Sequence, residues 1–116
     1  MTRQTVLITG ASGFLGTALI TRLNKKYHII GIDKTLHKDR DSNVLWYKVD
    51  ISDKELLHST FHEIKAKVSG KIDYVFHLAA YYDMTNKESW RYRETNENGT
   101  RYLLDNLIHF NVNNLI

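Results

Sequence analysis

The sequence predicts an α/β fold built on a doubly wound parallel sheet. Three observations predict it. Strand-like and helix-like patterns alternate along the 116 residues, which right-handed crossovers turn into a parallel sheet. The first strand pattern, "TVLIT" (Thr5–Thr9), is continuously apolar and β-branched, as in a strand covered on both faces. Glycines stand at positions 10, 13 and 16, directly behind that strand and at the opening of a helix pattern.

The elements follow in order. After the glycines, Phe14, Leu15, Ala18, Leu19 and Leu23 form the expected inward stripe of a first helix. "HIIGID" (His28–Asp33) reads as the second strand and "VLWYKVD" (residues 44–50) as the third. The polar stretch between them, "KTLHKDRDSN" (34–43), reads as a loop. Ser52 and Glu55 have capping-box spacing, which predicts a helix start there. Leu57, Phe61, Ile64 and Val68 then give that helix one apolar face. "IDYVFHLAA" (72–80) is the fourth strand, and "YYDMTNKESWRY" (81–92) an aromatic, polar loop without period. A last helix is expected over about 93–110 with Leu103, Leu104, Leu107 and Ile108 inward. "NNLI" (113–116) opens a fifth strand, where the pattern stops. The expectation is one domain, residues 1–116, forming the first part of such a sheet and truncated after the start of its fifth strand.

Composition narrows the function. Net charge is +3, with acids and bases interspersed and no basic run of five or six residues, so neither a nucleic acid nor a membrane partner is expected. Without cysteine there is no disulfide, no thiol chemistry and no cysteine-ligated zinc. No targeting pattern precedes the first strand, and no apolar run approaches the ~20 residues that span a bilayer. A cytoplasmic protein is the expectation.

The glycine spacing has a physical use. Missing side chains let a phosphate reach the backbone, where the free N–H groups and positive dipole end of the helix meet its charge. Gly10 would take the tight turn, Gly13 would admit a pyrophosphate, and Gly16 would bring the helix close to the sheet. Asp33 ends the second strand, 20 residues beyond Gly13. A carboxylate there accepts from both hydroxyls of an adenosine ribose and repels a 2′-phosphate, favouring NAD over NADP, with Lys34 a basic neighbour that softens the preference. The competing readings are a tight turn without a ligand and a solvated strand-end acid.

"TGASGFLG" (9–16) resembles the nucleotide-binding signature of the extended short-chain dehydrogenase/reductase superfamily, the NAD-dependent epimerase/dehydratase family, whose fold is Rossmann-like. "VDISD", "HLAA" and "TNENGTRYLLD" resemble three further family elements in the same order. The resemblance implies NAD as cofactor. It assigns to it Gly10, Ser12, Gly13, Phe14, Leu15 and Gly16 of the turn, and Asp33 and Lys34 at the ribose. Asp50 and Ile51 would border the adenine. The backbone of Leu78, Ala79 and Ala80 would line the nicotinamide-side ribose and pyrophosphate. Asn96 falls on one helical face with Gly99, Thr100, Leu103 and Leu107, and would sit near the nicotinamide half. Glu97 departs from the family's valine at that position.

Family chemistry resembles reversible hydride transfer assisted by a tyrosine, a lysine four residues later and an upstream serine or threonine. No tyrosine here has lysine four positions on, so no catalytic residue is assigned. The expectation is the cofactor-binding part of an epimerase, dehydratase or related oxidoreductase, its small-molecule substrate a nucleotide-sugar or a related carbonyl or hydroxyl compound. The alternative is a non-catalytic NAD(P)-binding sensor or scaffold, since atypical members keep the turn and lose the pair. A homo-oligomer is expected, through the last helix and an uncovered sheet edge. His58 and His62, four apart beside Glu63, read as surface histidines rather than metal ligands. His77 reads as a packed strand residue rather than a base. Tyr81, Tyr82, Trp90 and Tyr92 fit a substrate-facing loop or a half-buried loop core equally.

Overall fold

The computed structural model describes residues 3–80 and 89–116. In chain order the described elements are β1 (Thr5–Thr9), α1 (Phe14–Leu23), β2 (His28–Asp33), β3 (Leu45–Lys48), α2 (Lys54–Val68), β4 (Lys71–His77), α3 (Ser89–Leu107) and β5 (Asn111–Leu115). The strands form one parallel sheet in the order β3-β2-β1-β4-β5. β1 is fully buried, because β2 pairs with it on one side and β4 on the other: Val6 faces both Ile29 and Tyr74 in register.

Strand alternation sends side chains to two cores. Leu7, Ile30, Ile32, Ile72 and Val75 pack with Leu57, Phe61 and Ile64 of α2 and Leu103 and Leu107 of α3. Val6, Ile8 and Ile29 face the opposite way and pack with Ala11 of the glycine turn and Ile20 of α1. Helices thus cover both faces, as the doubly wound pattern requires. The chain leaves β1 toward β2 and later returns on its other side as β4. Adjacent connections of a parallel sheet diverge at such a point and open a crevice at the carboxyl ends of the strands.

Several expectations need correction. The inward face of α1 is Gly16 and Ile20, flanked by half-buried Leu19 and Leu23. Phe14 is 91% exposed and Leu15 62%, and Ala18 is exposed as well. At about 100° per residue, Phe14 lies two steps from Gly16 and therefore on the far side of the helix. Helix α2 is capped by Asp53, whose Oδ1 accepts the Leu56 N–H at 3.1 Å. Ser52 is not available for that role: its hydroxyl and its amide both donate to Asp50 Oδ1, at 2.7 and 3.0 Å. In α3, Leu103 and Leu107 are buried, whereas Leu104 is 41% exposed and Ile108, just past the helix, 76%. One residue's rotation carries those two off the face that meets α2. Strand β4 ends at His77 because the next two amides turn toward Thr9. Side chains at Tyr81, Tyr82, Trp90 and Tyr92 lie outside the described residues.

Candidate functional site

A cleft of about 200 Å³ opens at the carboxyl ends of β1, β2 and β4. The three glycines do separate jobs at its edge. Gly10 has φ +68°, and a Cβ there would stand 2.8 Å from both Ala79 N and Leu78 C. Neither the conformation nor the space admits a side chain. At Gly16 a Cβ would meet Gly10 O at 2.5 Å and Ala11 Cα at 2.7 Å, so this glycine lets α1 lie against the turn. Gly13 differs. Its backbone is extended (φ −73°, ψ 179°), and among the described residues a Cβ would touch only Gly10 O, at 3.3 Å. The space over Gly13 is open.

Gly13 is also the N-cap of α1. Among the described residues no side chain caps this helix, and no acidic residue stands in its first turn. Its N-terminal donors are therefore left for a ligand, which suits an anion. The Ser12 hydroxyl is buried and has no hydrogen-bond partner among the described residues. A buried hydroxyl with no partner costs ~1–3 kcal/mol.

Asp33, half-buried at the end of β2, fixes the other side of the turn. Its Oδ2 accepts the Ser12 N–H at 2.9 Å, and Oδ1 lies 3.5 Å from the Thr35 amide. The Ser12 carbonyl in turn accepts from His37 Nε2 at 2.7 Å.

The floor behind the glycines is a hydrogen-bonded chain across three elements. Thr9 Oγ1 accepts the amides of Leu78 and Ala79 at 3.0 and 3.1 Å. Both lone pairs are then in use, so its proton goes to His77 Nδ1, 2.7 Å away. His77 is thereby the neutral tautomer protonated at Nε2, and it donates to Thr100 Oγ1 of α3 at 2.8 Å. Burial lowers the His77 pKa below its ordinary value of 6.5, since it strips water from the charged imidazolium. His77 is a structural link between β1, β4 and α3, and its ring does not line the cleft.

Of the fourteen residues the sequence assigns, ten border the cleft: Gly10, Gly13, Asp33, Lys34, Asp50, Ile51, Leu78, Ala79, Ala80 and Asn96. Ser12 sits behind the turn, and Gly16 packs the helix. Phe14 and Leu15 turn their side chains to solvent, so any contact they make comes from helix-terminal backbone. Ile32, Val49 and Thr95 also line the cleft and went unassigned. Each directly precedes an assigned residue, at a strand end or in a helix turn, and that adjacency was the available signal. Gly99 sets how close α3 comes, because a Cβ there would lie 2.7 Å from Ile51 Cδ1. Among the described residues no group of three or more His, Cys, Asp or Glu could hold a metal. His58 and His62 are exposed on α2, and the former lies 3.3 Å from Asn106 Oδ1. No described helix is long and apolar enough to cross a membrane.

Comparison with known proteins gives these features relatives. Residues 6–116 match the model of the NAD dependent epimerase/dehydratase family. A dTDP-D-glucose 4,6-dehydratase of Dictyostelium discoideum is 35% identical over 127 residues, covering 97% of this chain and 28% of its own length. A UDP-glucose 4-epimerase of Drosophila melanogaster is 31% identical over 133 residues, covering 97% and 36%. The crystal structure of a Thermotoga maritima UDP-glucose 4-epimerase with UDP-glucose superposes at a TM-score of 0.78, with 28% identity over 97% of this chain and 36% of that one. A Leptospira borgpetersenii short-chain dehydrogenase with bound NAD+ shares the fold at a TM-score of 0.76 and 22% identity, covering 92% of this chain and 45% of that one. The chain thus spans about a third of the length of the curated relatives it matches.

Proposed function

Because this chain belongs to the NAD-dependent epimerase/dehydratase family, we propose that the cleft at the glycine turn binds NAD, and that the chain is the cofactor-binding part of an oxidoreductase acting on a nucleotide-sugar or a related carbonyl or hydroxyl compound. The observation that carries this reading is the turn itself. An open face at Gly13 and an uncapped helix N-terminus meet beside the Asp33 carboxylate in one cleft. The residues present fit a pyrophosphate flanked by an adenosine.

In this reading the amides at the start of α1 hold the pyrophosphate. Asp33 accepts from the adenosine ribose, and its bond to the Ser12 amide keeps it aimed there. Val49, Asp50 and Ile51 border the adenine, and Thr95 and Asn96 line the same cleft. Bound NAD would supply the hydride acceptor. No tyrosine in these 116 residues has a lysine four positions on, and no residue of this chain is assigned to proton transfer. The lack of cysteine suits a reducing, cytoplasmic compartment.

Titration calorimetry with both cofactors tests the reading. NAD is expected to bind more tightly than NADP, because Asp33 is tethered and cannot swing away from a 2′-phosphate. Asp33→Ala is expected to weaken NAD binding by about 1–3 kcal/mol, the scale of a hydrogen bond to a charged group. NADP binding as tight as NAD, or no binding of either, would overturn it.

A further inference from the structure

The loop between β2 and β3 does more than connect two strands. The Ser12 carbonyl can only accept, so the His37 Nε2 that lies 2.7 Å from it carries a proton and donates. On the other side of the same residue, the Ser12 amide donates to Asp33 Oδ2 at 2.9 Å. The next amide, Gly13 N–H, closes onto Gly10 O at 3.0 Å. Two successive peptide planes of the turn are therefore held from outside, and the second of them carries the Gly13 amide that opens α1. His37 is itself held. Its backbone carbonyl accepts from Arg40 Nη1 at 2.8 Å. The far end of the loop is moored through Asp41, whose carbonyl takes the Trp46 indole N–H at 2.8 Å and whose carboxylate takes the Asn24 amide at the C-cap of α1. The loop is a strap tied at both ends of α1.

Resting on the dinucleotide reading above, we infer that His37 is a positioning residue for the cofactor: it holds the glycine turn in its receiving shape before the pyrophosphate arrives. A turn fixed in advance does not have to be ordered at the moment of binding, which is where such a contact raises affinity. His37 does this through one donor, Nε2, and through no other ring atom.

The test uses the 116-residue chain with NAD as ligand and three proteins: the parent, His37→Ala and His37→Gln. The glutamine side-chain amide reaches about as far as Nε2 and can donate to the same carbonyl. His37→Ala is expected to weaken NAD binding three- to tenfold, on the scale of one net hydrogen bond, with a cooperative unfolding transition retained without cofactor and a shifted Ser12 carbonyl carbon resonance. His37→Gln is expected to restore affinity to within twofold of the parent. Unchanged NAD affinity in His37→Ala beside a parent that binds would overturn the inference, as would failure of His37→Gln to restore it. A parent that binds no NAD would overturn the dinucleotide reading, and an unmoved Ser12 resonance in His37→Ala would overturn the contact independently.

Discussion

Alanine at Gly13 and alanine at Gly16 separate the two uses of the glycine turn. At Gly16 the new methyl would lie 2.5 Å from Gly10 O and 2.7 Å from both Ala11 Cα and Ala11 O. All three are backbone atoms and cannot rotate away, so α1 must move off the turn. Overpacking against fixed backbone at 2.5–2.7 Å costs ~2–3 kcal/mol, the upper part of the usual range, offset by the ~1 kcal/mol that alanine gains over glycine inside a helix. A net loss of about 1–2 kcal/mol is expected, or ~4–8 °C in melting temperature for a chain of this size. At Gly13 the methyl would meet one carbonyl at 3.3 Å in a backbone region any residue adopts. The fold then loses at most the few tenths to ~1 kcal/mol by which alanine is the poorer N-cap. That methyl would occupy the open face, however, and NAD binding is expected to fall at least tenfold. Thermal unfolding without cofactor and NAD calorimetry on the same two variants give the answer. Equal destabilisation by both, or normal NAD binding by Gly13→Ala, would show the turn to be a packing device with no ligand role.

Two other outcomes follow from features outside the turn. Burial lowers the His77 pKa, so between that lowered value and ~6.5 the unfolded chain binds more protons than the folded one, and stability falls as the pH drops through this window. His77→Gln is expected to remove that part of the pH dependence of the melting temperature; an unchanged profile would refute the lowering of the His77 pKa by burial. Leu104, Ile108, Leu115 and Ile116 are all exposed, and β5 pairs with β4 alone among the described strands. Self-association is therefore expected by light scattering across a concentration series, reduced by the double substitution Leu104→Glu and Ile108→Glu, and a parent monomeric at high concentration would refute it.

The strand ladder and the turn were legible because their signals are local. A β-branched run, three glycines and an acid at a strand end are each written within a few residues. The helix faces were less legible. Phe14 and Leu15 match an apolar stripe, but the inward direction of α1 is set by the close approach at Gly16, a contact with Gly10 and Ala11 that hydrophobic periodicity does not record. The α2 cap was misplaced by one residue because Ser52 is taken by Asp50, a competition between two plausible caps that spacing cannot decide. Thr9, His77 and Thr100 were read separately as strand and helix residues, yet one tautomer joins them. The His37 contact spans 25 residues of sequence and comes from a loop whose polarity suggested only solvent.

The central place of β1 bears on how this chain reaches its native state. Its first partner follows after one helix, but its second is distant: Thr9 and His77 are 68 positions apart in the sequence. Closing so long a loop before its contacts repay the entropy slows folding. Gly10 has its backbone wall only when Leu78 and Ala79 are docked beside it. A nascent chain that has emerged as far as β3 carries every glycine of the turn and Asp33 without the wall that shapes the turn. Competence to hold a ligand therefore arises late, with the docking of β4, and a ligand bound there would draw on the same closure that completes the sheet.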